Sequence, residues 1–246
     1  MLDCHCHLDL YSKPSAVARR AEAAGAFTVC VSNLPSAYQH SRPYVAGHPK
    51  VRLALGLHPL LAEQHLSERT AFEAFADQTS FIGEVGLDFS PEGKATEDIQ
   101  TESFAFVLRV LGHKPKFVSI HSRRAEARVL EMLREAKRTS AVFHWYSGPL
   151  AVLRNAVADG HYFSINPAMS RTPSGHKIIA AIPKDRILTE TDGPFVTVGR
   201  RQAEPPDVIL VEEYLGHLWQ RPALEVRQMV ADNFRRIMAT LQNHAN

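Results

Sequence analysis

The 246 residues, 45% of them hydrophobic, are enough for a sizeable buried core and suit one large domain or two ordinary ones. Lysines and arginines number 28 against 26 aspartates and glutamates, so the formal charge of +2 neither demands nor excludes a polyanionic partner. No apolar run approaches the roughly 20 residues of a membrane span. Cys4, Cys6 and Cys30 form no CxxC pair, and no basic-then-apolar leader opens the chain, which predicts a reducing, cytoplasmic setting. Thirteen histidines invite a search for a metal or proton-transfer site.

In chain order, Leu2–Leu8 reads as a first strand. A helix starts after Ser12, with Pro14 in its opening turn, and stops at Gly25. Short β-branched runs at Ala26–Ser32 and Val51–Leu57 predict the next two strands. Ser67 then reads as the cap of a helix carrying Phe72 and Phe75. Strands follow at Phe81–Val85 and Lys116–His121. A helix comes next whose apolar face holds Ala125, Val129, Met132, Leu133 and Ala136. Ala141–Trp145, Tyr162–Ile165 and Ile187–Thr189 complete eight strand candidates, and Asp207–Trp219 and Leu224–Leu241 read as closing helices. Strand and helix alternating about eight times in a chain near ~250 residues predict an α/β fold, a (β/α)8 TIM barrel, over an open doubly wound sheet.

On such a barrel, chemistry gathers where strands end, at the carboxyl face. His5 and His7 end the first strand candidate, His58 follows the third, and Glu84 and Asp88 follow the fourth. His121 ends the fifth, His144 the sixth, and Glu190 and Asp192 follow the eighth. Because strand side chains alternate, Asp3, His5 and His7 share one side and Cys4 and Cys6 the other. With the histidines turned into the barrel mouth, the cysteines pack outward as small buried hydrophobes. A Cys/His zinc knuckle is the rival, and it needs further cysteines at ligand spacing. His113, His161, His176, His217 and His244 lack a strand-end position and read as structural or surface residues.

The segments DCHCHLD, GLHP, GEVGLDF, Gln100 with Phe104, IHSR, HWYSG, ETDGP and Asn233 in NFRR stand in order along nearly the whole chain. In this series the sequence resembles the TatD-family metal-dependent deoxyribonucleases, among the amidohydrolase-like barrels. The resemblance implies a single hydrolase domain over residues 1–246 and two divalent ions, magnesium, manganese or zinc. His5, His7 and Asp192 would hold one ion, His121 and His144 the other, and Glu84 would bridge them. Two ions ~3.5–4 Å apart can clamp the attacking and leaving oxygens of a phosphodiester, with Asp192 taking the proton of the attacking water.

Arg123 is placed to grip phosphate with a bidentate guanidinium. His58 is a candidate second phosphate contact or proton donor to the leaving oxygen. Arg201, beside Arg200, is a candidate for steering the backbone of the nucleic acid, and Trp145 and Tyr146 for stacking on a base. Asp88 reads equally as a metal ligand or as a group that orients another side chain, and Glu190 as a hydrogen-bond partner of loop backbone. Trp145 and Tyr146, the INPAMSRT segment and GRRQAEPP depart from the family pattern at the cleft border. The resemblance implies DNA as the substrate, single-stranded or end-containing, digested from an end. Compact chains of this kind also resemble the nuclease-like component of Qat-type antiphage systems, which implies partners in a defence complex. Two other readings are a metal-dependent hydrolase of another ester, amide or nucleotide, and a non-catalytic binding subunit.

Overall fold

The computed structural model describes residues 1–243, so the predicted structural role of His244 lies outside the described residues. Among these residues, eight short strands run parallel in sequence order. They are β1 (Leu2–Cys6), β2 (Phe27–Val31), β3 (Val51–Leu57), β4 (Phe81–Gly86), β5 (Phe117–His121), β6 (Val142–His144), β7 (Tyr162–Ile165) and β8 (Ile187–Thr189). All but a few strand residues are buried, as expected when both faces of a parallel sheet are covered. Three predicted strands, Val51–Leu57, Tyr162–Ile165 and Ile187–Thr189, have the observed bounds, and the others shift by one or two residues.

Helices α1 (Pro14–Ala23), α2 (Pro35–Val45), α3 (His65–Ala76) and α4 (Glu97–Leu111) lie between the first five strands. Beyond them come α5 (Glu126–Glu135), α6 (Leu150–Ala158) and α7 (Pro173–Ala181), and the tail folds as α8 (Ile209–Trp219) and α9 (Ala223–Asn243). Ser67 is not a cap. A 3-10 turn at Pro59–Gln64 runs straight into α3, so Ser67 sits inside the helix and donates its hydroxyl to Gln64 O at 2.8 Å. The segment after β8 forms a small antiparallel ribbon, β9 (Thr197–Val198) with β10 (Arg201–Gln202), which the sequence reading did not include.

The core fills the barrel and the layer under the helices, with Phe117, Phe143, Phe163, Leu55 and Ile120 fully buried. Cys4, Cys6 and Cys30 are buried free thiols within it, as the strand alternation predicts for Cys4 and Cys6. The barrel closes where β8 returns to β1. Thr189 donates its hydroxyl to Leu2 O at 2.5 Å, and Thr191 donates its N–H and hydroxyl to the Asp3 carboxylate at 2.9 and 2.5 Å. Beyond the strand ends, Asp192 N donates to His5 O at 2.9 Å and His7 N to Gly193 O at 2.8 Å. The seam therefore holds the two ends of the fold in fixed register at the carboxyl rim.

Candidate metal centre and its cavity

Glu84 is the hub of that rim. Its buried carboxylate at the end of β4 meets His121 Nδ1 at 2.5 Å and His144 Nε2 at 2.8 Å through Oε1. Through Oε2 it meets His7, His58 and His5 Nε2 at 3.2, 3.4 and 3.5 Å. Asp192 Oδ1 lies 3.5 and 3.6 Å from His7 and His5 Nε2. Three sets of potential donors are close enough to share an ion: His5, His7 and Glu84; His5, His144 and Asp192; His58, Glu84 and His121.

The partners behind these rings fix which nitrogen faces inward. Asp88 Oδ2 sits 2.7 Å from His121 Nε2, an acceptor that would keep the proton on that nitrogen and leave Nδ1 for a cation at the centre. Burial opposes ionisation of Asp88, yet its hydrogen bonds from His121 and Ser90 hold it at about 2, an acceptor throughout the neutral range. Ser119 Oγ meets His5 Nδ1 at 2.7 Å, and an N–H donated there leaves His5 Nε2 free. His58 is wired the other way. Leu60 N donates to its Nδ1 at 3.2 Å, so the neutral ring carries its proton on Nε2, toward Glu84.

The charges follow from this crowding. Burial penalises the Glu84 carboxylate, but the imidazoles of His58, His144, His121 and His5 hold its pKa well below the usual range. Burial brings His58 down to about 3 and His5 to about 4, keeping both neutral. His121 and His144 also lose solvation, and Glu84 with Asp88 or Glu190 nonetheless pushes them up. Asp192 rises to about 7, driven by burial against the pull of His144 and His7.

A divalent cation fits these groups. Asp192 Oδ1 is buried with no hydrogen-bond partner, an arrangement costly for a carboxylate oxygen unless a cation completes it. Mixed imidazole and carboxylate donors suit zinc or manganese, and the carboxylates also suit magnesium.

The structure thus brings His5, His7, His58, Glu84, His121, His144 and Asp192 into one place. A cavity of about 710 Å3 opens over them, with Arg123 and Trp145 in its wall. Arg123 is half exposed and 3.5 Å from Glu92. Arg201 is not brought there: its guanidinium is tied to both oxygens of Asp207 at 2.6 Å. Nor can Tyr146 stack on a base, since it is 1% exposed and donates its hydroxyl to Pro149 O at 2.8 Å. Glu190 is fully buried and accepts from Trp145 N at 3.0 Å and Asn166 Nδ2 at 3.1 Å, so it holds the loop after β6.

Ser119, Asn166 and Phe195 were missed by the sequence reading. Ser119 had a findable signal: a polar residue two before His121 on the same strand face. Phe195 lines the cavity and packs edge-on against His7, ring centroids 5.0 Å apart, and no pattern in the sequence marks its exposure.

Comparison with known proteins agrees with this geometry. The family model described as TatD-related DNase matches residues 2–239. Human deoxyribonuclease TATDN3 is 25% identical, the match covering 99% of this chain and 96% of that one. The metal-dependent hydrolase YcfH of Escherichia coli K12 is 29% identical over 96% of this chain and 95% of its own length. The crystal structure of YjjV, a TatD homologue from E. coli, superposes with a TM-score of 0.83 at 23% identity, covering 95% of each chain. Matched along the whole barrel, the chain belongs to the TatD-related DNase family and is a metal-dependent hydrolase.

Proposed function

We propose that the protein, acting as one domain, is a two-metal deoxyribonuclease that removes nucleotides from the end of a DNA strand. The observation that carries this reading is Glu84: its two oxygens divide the imidazoles into His121 with His144 on one side and His5, His7 and His58 on the other. Glu84 with His121 and His144 would hold one ion, and Glu84 with His5, His7 and Asp192 a second. Bound there, divalent ions supply Lewis acidity, making water nucleophilic near neutral pH and offsetting phosphodiester charge.

The chain's own groups do the rest. Asp192, beside the centre, accepts the proton of the attacking water at a carboxylate oxygen. His58, neutral and protonated on Nε2, donates a hydrogen bond from that nitrogen to the leaving or a nonbridging phosphate oxygen and keeps its proton. Arg123 presents a guanidinium at the cavity wall for a phosphate. Trp145, 38% exposed, offers its ring to a base.

Purified protein loaded with magnesium, manganese or zinc and given single-stranded and duplex DNA tests the reading. Hydrolysis from strand ends is expected, and no turnover with any ion defeats it. Asp192→Asn is expected to lower kcat by at least about a thousandfold with the fold retained, whereas Glu84→Ala also lowers bound metal. An antiphage role rests on the family resemblance alone, and phage challenge of an expressing host tests it.

A further inference from the structure

The wall of the active cavity is chemically lopsided. Among its described lining residues Arg123 is the one lysine or arginine, and Glu92 stands beside it. Leu60, Trp145 and Phe195 are instead left 41%, 38% and 59% exposed. They come from the loops after β3, β6 and β8. Around the eight-strand ring β6 and β8 each lie three strands from β3, so Leu60 stands across the opening from the two aromatics.

Phe195 is the most exposed of the three and packs against the candidate ligand His7. Its backbone turn is pinned, with Phe195 N and Val196 N donating to Asp192 O at 3.0 and 3.2 Å. Its ring stands nearly perpendicular to that of His7, at an interplanar angle of 84°. A rigid aromatic face held open to water beside polar reacting groups is poorly explained by packing and well explained by a ligand that covers it.

Building on the nuclease reading, we propose that Phe195 determines substrate choice by stacking the base next to the scissile phosphate. Trp145 and Leu60 then enclose the rest of a one- or two-nucleotide chain end. A cavity of about 710 Å3 encloses a ligand of that size and not a tract of strand. One guanidinium engages one or two phosphates, so recognition rests on base faces more than on backbone charge. Stacking is tolerant of sequence, and salt acts weakly on such a site, at roughly 0.7 log units of affinity per decade for each phosphate held.

Phe195→Ala tests this directly, because so exposed a ring contributes little to folding. Short single-stranded oligonucleotides ending in a normal nucleotide are compared with the same strands ending in an abasic one, at either terminus. KM is measured with a catalytic ion, and Kd by fluorescence anisotropy in calcium. Phe195→Ala is expected to raise KM and Kd about tenfold or more on base-bearing ends and much less on abasic ends. kcat should move less than about threefold, and Phe195→Tyr should restore binding.

Equal losses on both ends, a loss that Tyr does not rescue, no loss, or a salt slope fitting five or more phosphates overturns the proposal. Intact cleavage with a silent Phe195→Ala removes the stacking site alone. Absent cleavage with Phe195-dependent binding removes the nuclease reading alone, and absence of both removes both.

Discussion

At the scale of single residues, position within a strand was more informative than residue type. His5, His7, Glu84, His121 and Asp192 could be singled out because each stands where an apolar run ends, and the structure gathers them within reach of one carboxylate. Arg201 and Tyr146 carried the same kind of local signal but went elsewhere, because their partners, Asp207 and the Pro149 carbonyl, became visible only once the loops had folded. His161, read as structural, shows what that role involves. Both its ring nitrogens are buried without a hydrogen-bond partner against Phe143, and burial lowers its pKa to about 4. The unfolded chain takes up this proton near pH 6.5 and the folded chain only near 4, so stability is lost as pH falls through that window. His161→Leu should therefore reduce the drop in unfolding free energy between pH 7 and 4 by about 3 kcal/mol in urea titrations. An unchanged profile would assign the acid sensitivity to other groups.

At the scale of elements, eight strands were legible because buried parallel strands write themselves as short apolar runs. The ribbon of β9 and β10 was not, being two residues wide with no apolar pattern. Motif residues that touch no candidate ligand turn out to fix element ends. Gln100, on α4, accepts from Asp88 N and donates to Gly93 O, both at 2.8 Å, and so shapes the loop that presents Asp88 to His121. Asn233 ties α9 to the Lys184 and Ile187 carbonyls at 2.8 Å. Gly86 ends β4 at φ +136°, and a Cβ there would stand 2.0 Å from His121 O. The approach of β4 to β5 thus needs a residue with no side chain. Gly86→Ala is expected to destabilise by about 3 kcal/mol or more and to displace His121. Thermal melts and metal titration check this, and wild-type values for both would contradict the close approach.

At the scale of the whole molecule, the barrel could be inferred from the count of alternating elements, but how it closes could not. Among the described residues no helix is long and apolar enough to cross a membrane. Side chains carry much of the join between β8 and β1, above all the Thr191 hydroxyl on the buried Asp3 carboxylate at 2.5 Å. Thr191→Val should lower unfolding stability by about 1–3 kcal/mol and weaken ion binding, since His5 and His7 sit on one side of the join and Asp192 on the other. Isothermal titration on the intact variant separates the two effects, and normal affinity would mean the seam is held by the backbone alone. That seam also joins parts of the chain made at different times. Ribosomes deliver His7 on the order of ten seconds or more before Asp192, so a nascent chain that stops short of β8 cannot bring the imidazoles of His5 and His7 together with that carboxylate.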